Sequence, residues 1–168
     1  MRVKAVLGCG VVLLTAVTVS AQTKFPGAQT CEKPAPNYTV AVDDRPGHVM
    51  SLTKDKCRWT KGEIEGVQIK EDDDTIWSDI NGTSARDRGY GVTVLANDDK
   101  AFVRFDGSTA IKNDAPVSGR GTWTFSGGTG KLKGITGKGT YAGKYSPDGT
   151  ATFDIEGEYQ VPSAASGK

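Results

Sequence analysis

Seven glycines and four lysines stand in residues 126–144, SGGTGKLKGITGKGTYAGK, the stretch whose composition most suggests anion capture. Holding a phosphate needs glycines at fixed offsets, so that backbone N–H groups converge, followed by Lys and then Ser or Thr at the start of a helix. Here Lys131 runs into Leu132, Lys138 runs into Gly139, and Lys133 stands where a dinucleotide loop needs its third glycine. A phosphate loop is excluded. The stretch reads as curling sheet, in which Gly134, Gly137, Gly139 and Gly143 permit bends and bulges while the lysines face solvent.

Metal chemistry is short of ligands. His48 is the only histidine, and Cys31 and Cys57 are expected to be joined to each other, so neither a metal nor a cofactor is expected. A lone imidazole can serve as a general base at a barrel mouth. His48 follows the turn DRPG at 44–47, however, and reads more simply as an exposed strand-end residue. Glu71-Asp72-Asp73-Asp74 lacks the alternate oxygen spacing and the bend glycine of a calcium loop, and reads as a solvated acidic turn.

Arg86, Arg88 and Tyr90 share one strand face, as do Phe102, Arg104 and Asp106 on the strand that follows. Turned inward, these arginines would clamp a carboxylate or a polar ligand head. Turned outward, they would pair with Asp87, Asp106 or nearby acids, which is the reading the sequence favours. Arg86, Arg88, Tyr90, Arg104 and His48 are accordingly the candidate ligand-binding residues, and no catalytic residue is assigned. Trp59, Trp77, Trp123, Tyr141 and Tyr159 suit a core better than a ligand-lined cavity or a sugar-stacking surface.

The elements that must position these residues are strands. TATFDIEGEY, residues 150–159, places Ala151, Phe153, Ile155 and Tyr159 on one face, with Thr152, Asp154, Glu156 and Glu158 on the other. Similar runs are HVMSLT, KCRWT, EIEGVQIK, YGVTVLA, AFVRF, GTWTF and KGTYAGKY, separated by turn residues at 44–47, 81–82, 97–100 and 146–149. No apolar pattern recurs at helical spacing. The result is an all-β chain, a single antiparallel β-barrel or sandwich of around eight strands over residues 38–161. Residues 22–37, with three prolines, form an extended lead-in, and residues 162–168 a flexible tail.

Residues 121–159, GTWTFSGGTGKLKGITGKGTYAGKYSPDGTATFDIEGEY, resemble the glycine-rich strand pair of the allene oxide cyclase and dirigent-like β-barrels, and more nearly the small exported bacterial proteins of that calycin-like type. The similarity is strongest over those residues and extends more thinly back to His48. It implies an eight-stranded antiparallel barrel with an apolar interior able to hold a small molecule, and a homo-dimer or homo-trimer. No catalytic motif of the plant enzymes maps onto a position of this chain.

The N-terminus supplies the address. Arg2 and Lys4 precede the apolar residues 5–19, and Val19-Ser20-Ala21 offers the small residues of a signal-peptide cleavage site. Residues 1–21 are therefore expected to direct export to the periplasm or beyond, and the apolar run is too short for a stable membrane anchor. Their removal reduces 21 basic residues to 19 against 20 acidic ones, a near neutrality that argues against nucleic acid as partner. In an oxidising compartment Cys31 and Cys57 should form a disulfide. The sequons at Asn37 and Asn81 matter only in a eukaryotic secretory route. Three function classes follow: a carrier of a small apolar or amphipathic molecule, a cofactor-free cyclase or dirigent-like enzyme, and a carbohydrate or surface-interaction module.

Overall fold

The computed structural model describes residues 22–162, so the expected export segment and the residues beyond Pro162 lie outside the described residues. Eleven strands follow in order: β1 (Thr23–Lys24), β2 (Gly27–Cys31), β3 (Asn37–Ala41), β4 (His48–Lys61), β5 (Glu63–Ile64), β6 (Val67–Asn81), β7 (Ser84–Leu95), β8 (Lys100–Lys112), β9 (Ala115–Gly128), β10 (Thr136–Tyr145) and β11 (Ala151–Gln160). Consecutive antiparallel pairing runs from β6 to β11; β11 then pairs with β2, β2 with β4, and β4 with β6. That circuit is a closed eight-stranded barrel, as the alternation in the sequence predicted. Closure satisfies every strand edge within the circuit. The short β1, β3 and β5 lie beside it, on β11, β4 and β6 respectively.

Several boundaries differ from expectation, each for a tertiary reason. HVMSLT and KCRWT are one strand, β4, because both halves of it find partners in β6. The lead-in is extended, but Gly27–Cys31 within it is β2, the strand that closes the barrel. Cys31 and Cys57 face each other across the β2–β4 pair and form the expected disulfide. Residues 71–74 are not a turn; they lie in the middle of β6. Opposite Leu95 and Val94 of β7 that strand carries a bulge between Ile69 and Glu71, which shifts its inward side chains from odd to even positions.

The glycine-rich stretch also differs in detail. One bulge falls within it, at Ser126, and Gly130 and Gly134 take positive φ (+51° and +75°) around a short 3₁₀ turn, Gly130–Leu132. β10 itself pairs without interruption on both sides. Its glycines make room for rings: a Cβ on Gly139 would stand 2.7 Å from Trp123 Cε2 and 2.0 Å from the Glu156 carbonyl oxygen. Lys131, Lys133, Lys138 and Lys144 are exposed, as predicted.

One end of the barrel is plugged. Phe25, from the β1–β2 connection, inserts among Trp123, Phe125 and Tyr159 with edge-on ring contacts at 5.3, 5.7 and 6.0 Å between centroids. Ile64, Ile69, Leu95, Leu132 and Ile135 pack around these rings and complete the core. The other end stays open.

Candidate functional site

Above the aromatic plug a cavity of about 570 Å³ runs along the barrel to the turns between β3 and β4, β6 and β7, and β8 and β9. Trp123, Phe125 and Phe25 form its floor, Phe105, Phe153, Tyr141 and Tyr145 its sides, and Val49, Ile80, Ile111 and Pro116 its upper wall. The pleat decides what enters it. On β7 the odd residues, including Ala85, Asp87 and Thr93, line the cavity; on β4 Thr53, Asp55 and Trp59 do; on β6, past the bulge, Asp72, Asp74, Ile76, Ser78 and Ile80 do.

Four carboxyl groups therefore project into an otherwise largely apolar interior: Asp55, Asp72, Asp74 and Asp87. Asp55 and Asp74 are directly opposite on neighbouring strands, an arrangement that repels when both are ionised. Asp72 is one inward position deeper on β6, and Asp87 lies opposite Ser78, nearer the mouth. Among the described residues, no Lys, Arg or His lines the cavity.

Hydrogen bonding satisfies only part of this set. Ser78 Oγ and Thr109 Oγ1 donate to the two oxygens of Asp87 at 2.6 and 2.7 Å. Trp59 Nε1 donates to Asp72 Oδ2 at 3.0 Å. Asp72 Oδ1, Asp55 Oδ1, Gln29 Oε1 and Trp123 Nε1 are buried without a partner, and Asp55 and Asp72 are each only 8% exposed. Buried polar atoms of a native protein are nearly always paired, so four unpaired ones around a single cavity set its lining apart from the packed core.

Burial sets the protonation of these groups. It pushes Asp55 up to about 6, against a hydrogen bond from Thr53 and with help from the Asp87 charge. It pushes Asp72 to about 6 as well, opposed by hydrogen bonds from Thr93 and Trp59 and reinforced by Asp73. Asp74 is raised well above the ordinary carboxylate range by burial and by the charges of Asp72, Asp55 and Asp73. Burial also raises Tyr141, and it lifts Tyr145 to about 12, so both phenols stay neutral hydrogen-bonding groups.

The residues singled out in the sequence lie elsewhere. Arg86, Arg88, Tyr90 and Arg104 stand on the outer face, so no arginine clamp forms inside the barrel. The alternation that turns Asp87 and Phe105 inward turns their neighbours outward. Arg88 Nε donates to Asp106 Oδ1 at 2.9 Å between exposed side chains, and the Arg104 guanidinium lies 5.6 Å over the ring of Tyr90. Arg86 and Arg120 flank Ser108 on this outer surface, beside a shallow depression.

His48 stands at the rim but does not line the cavity. Its Nε2 is 3.0 Å from Asp79 Oδ1, its Nδ1 bonds the carboxyl of Asp44, and its side chain is mostly covered. The hydrogen bond with His48 lowers the Asp44 carboxyl below its usual range. Trp77 is outward and exposed beside Leu52, itself opposite Tyr38.

Sequence reasoning missed the aspartates. A signal was present in the opposite face of the same strands, where Ala101, Val103 and Phe105 alternate with Arg104, and Gly89, Gly91 and Thr93 alternate with Tyr90. Small and apolar residues of one parity mark the interior.

No protein-family model matches the chain, and no curated protein matches it. Solved structures do resemble it. A conserved protein of unknown function from Rhodopseudomonas palustris superposes with a TM-score of 0.53 at 10% identity, covering 83% of this chain and 99% of that one. The pterocarpan synthase dirigent protein PsPTS1 gives 0.51 at 12% identity, over 86% of this chain and 97% of its own. A second pterocarpan synthase dirigent protein, GePTS1, gives 0.51 at 12%, over 92% of each chain. Closed circuit, strand order and these superpositions agree: the chain has the allene oxide cyclase/dirigent-like barrel fold.

Proposed function

We propose that this chain is an exported binding protein that holds one small amphipathic molecule inside its barrel. The observation that carries this reading is the cavity, whose volume of about 570 Å³ is of the size that encloses small ligands and whose apolar walls converge on a few polar groups. A barrel of eight strands has an interior just wide enough either to be filled by its own side chains or to hold one small molecule. Support for export comes from the Cys31–Cys57 disulfide, a bond that persists in oxidising compartments.

A neutral dye that fluoresces in apolar surroundings, N-phenyl-1-naphthylamine, tests the reading. It should bind one molecule per chain, and Ile76→Trp, which places an indole in the cavity, should abolish binding while the strand signature in circular dichroism persists. Equal binding by both proteins would place the dye outside the barrel and refute the proposal.

A second reading draws on the fold likeness to pterocarpan synthase dirigent proteins. In it, the same cavity steers a cyclisation by shape. Product formed with the protein present would then show a stereochemical excess over product formed without it.

A further inference from the structure

We propose that the ligand is an organic cation, an amine-bearing molecule with an apolar body, whose ammonium group sits among Asp55, Asp72, Asp74 and Asp87. The inference rests on the binding reading above and gives that ligand its chemistry. Five acidic side chains line the cavity, Asp114 at its mouth and the other four inside, and, among the described residues, no basic side chain answers them from within it. Carboxylates withdrawn from water without a counter-charge are costly, and two facing one another across strands β4 and β6 add repulsion. A bound cation would remove both costs.

Independent of the acids, the floor and sides of the cavity carry aromatic rings. Trp59 and Trp123 stand near Asp72 and below it, and Tyr141, Tyr145 and Phe105 line the opposite side. Ammonium groups favour the faces of such rings, most of all where water is excluded. The unpartnered Asp55 Oδ1 and Asp72 Oδ1 are acceptors suited to N–H donors, and both belong to residues only 8% exposed. Trp123 Nε1, also unpartnered and buried, would donate to an acceptor on the apolar body of the ligand. A metal ion fits less well, because among the described residues no three His, Cys, Asp or Glu side chains come close enough to hold one.

Protonation gives this site a signature. Its titratable groups are Asp55 from β4, Asp72 and Asp74 from β6, Asp87 from β7, Tyr141 and Tyr145 from β10, and Asp114 from the β8–β9 turn, with Asp73 behind on the outer face of β6; β2, β8, β9 and β11 contribute none. A cation prefers the ionised carboxylates, so its affinity should rise with pH and its binding should release protons.

The test uses three molecules of one shape, 1-aminoadamantane, 1-adamantanol and 1-adamantanecarboxylate, titrated calorimetrically into the full barrel. The amine should bind at least about tenfold more tightly than the alcohol near pH 8, and the carboxylate should not bind. Near pH 5 the preference should shrink, and buffers of different ionisation enthalpy should report proton release. Asp55→Asn with Asp74→Asn should remove the preference for amine while leaving alcohol binding in place, with a thermal melt confirming the fold. Equal binding of amine and alcohol, or a preference untouched by the double substitution, overturns the inference and leaves the binding reading standing. If the neutral dye and all three adamantanes fail to bind, both fall together.

Discussion

Across the barrel from the β4–β6–β7 wall, which turns Asp55, Asp72, Asp74 and Asp87 inward, the β9–β10–β11 wall turns in only glycines and aromatic or aliphatic side chains. The second wall is organised by packing. Gly121, Gly137, Gly139 and Gly157 leave room for Trp123, Phe125 and Tyr141, and rings meet edge to face along it, Tyr141 with Phe153 at 5.9 Å and Tyr145 with Phe153 at 5.8 Å. The first wall is organised against stability. Its carboxyls are desolvated, mutually repulsive and in part without hydrogen bonds. Groups that cost stability and gather in one cavity are candidates for function.

The largest expected effect breaks the packed wall. Trp123→Ala removes an indole that touches Phe25 and Phe125, and unfolding by denaturant should show a loss of about 3–5 kcal/mol. At the seam between the walls, replacing Cys31 and Cys57 together by Ala opens a link between residues 26 apart; the loss should be about 3 kcal/mol by the same measurement.

The acidic wall should respond with the opposite sign. Because Asp55 and Asp72 are raised to about 6 in the fold and titrate near 3.8 when unfolded, the folded state binds more protons between those values. Stability from these two groups is greatest below about pH 4 and is lost as pH rises through about 6. For Asp55 alone the change is of the order of 3 kcal/mol. Thermal melts across this interval should therefore show the protein strengthening on mild acidification. Asp74→Asn, which removes one of the repelling charges, should raise stability by roughly 1 kcal/mol near pH 7 and flatten that profile. The smallest effect belongs outside the barrel: Arg88→Ala breaks an ion pair whose side chains are 74% and 67% exposed, and should cost less than about 0.5 kcal/mol.

Much of the packed wall was legible in the sequence. Strict alternation in β11, the turns around Gly149 and Gly82, the cysteine pair and the glycine–aromatic pattern between residues 121 and 159 all depend on local rules of pleat and turn. The acidic wall was not legible. Glu71-Asp72-Asp73-Asp74 violates strand propensity, and what overrides it is pairing with β4 and β7 on both sides, a long-range fact. The bulge between Ile69 and Glu71, which aims Asp72 and Asp74 inward, leaves no mark in local composition. For Arg86, Arg88 and Tyr90 the shared face was read correctly, but which face meets the interior depends on how the sheet closes. Ion pairing of Arg88 with Asp106 on the outer surface matches the favoured expectation.

The carboxyl groups held inside the barrel are the proposed seat of the cation. Site-resolved NMR titration of the aspartate side-chain carbons measures this most directly. Asp55 and Asp72 should titrate near 6 in the free protein, and 1-aminoadamantane should lower both. Titration of both near 3.8, unmoved by the amine, would mean that these groups face water and hold no cation.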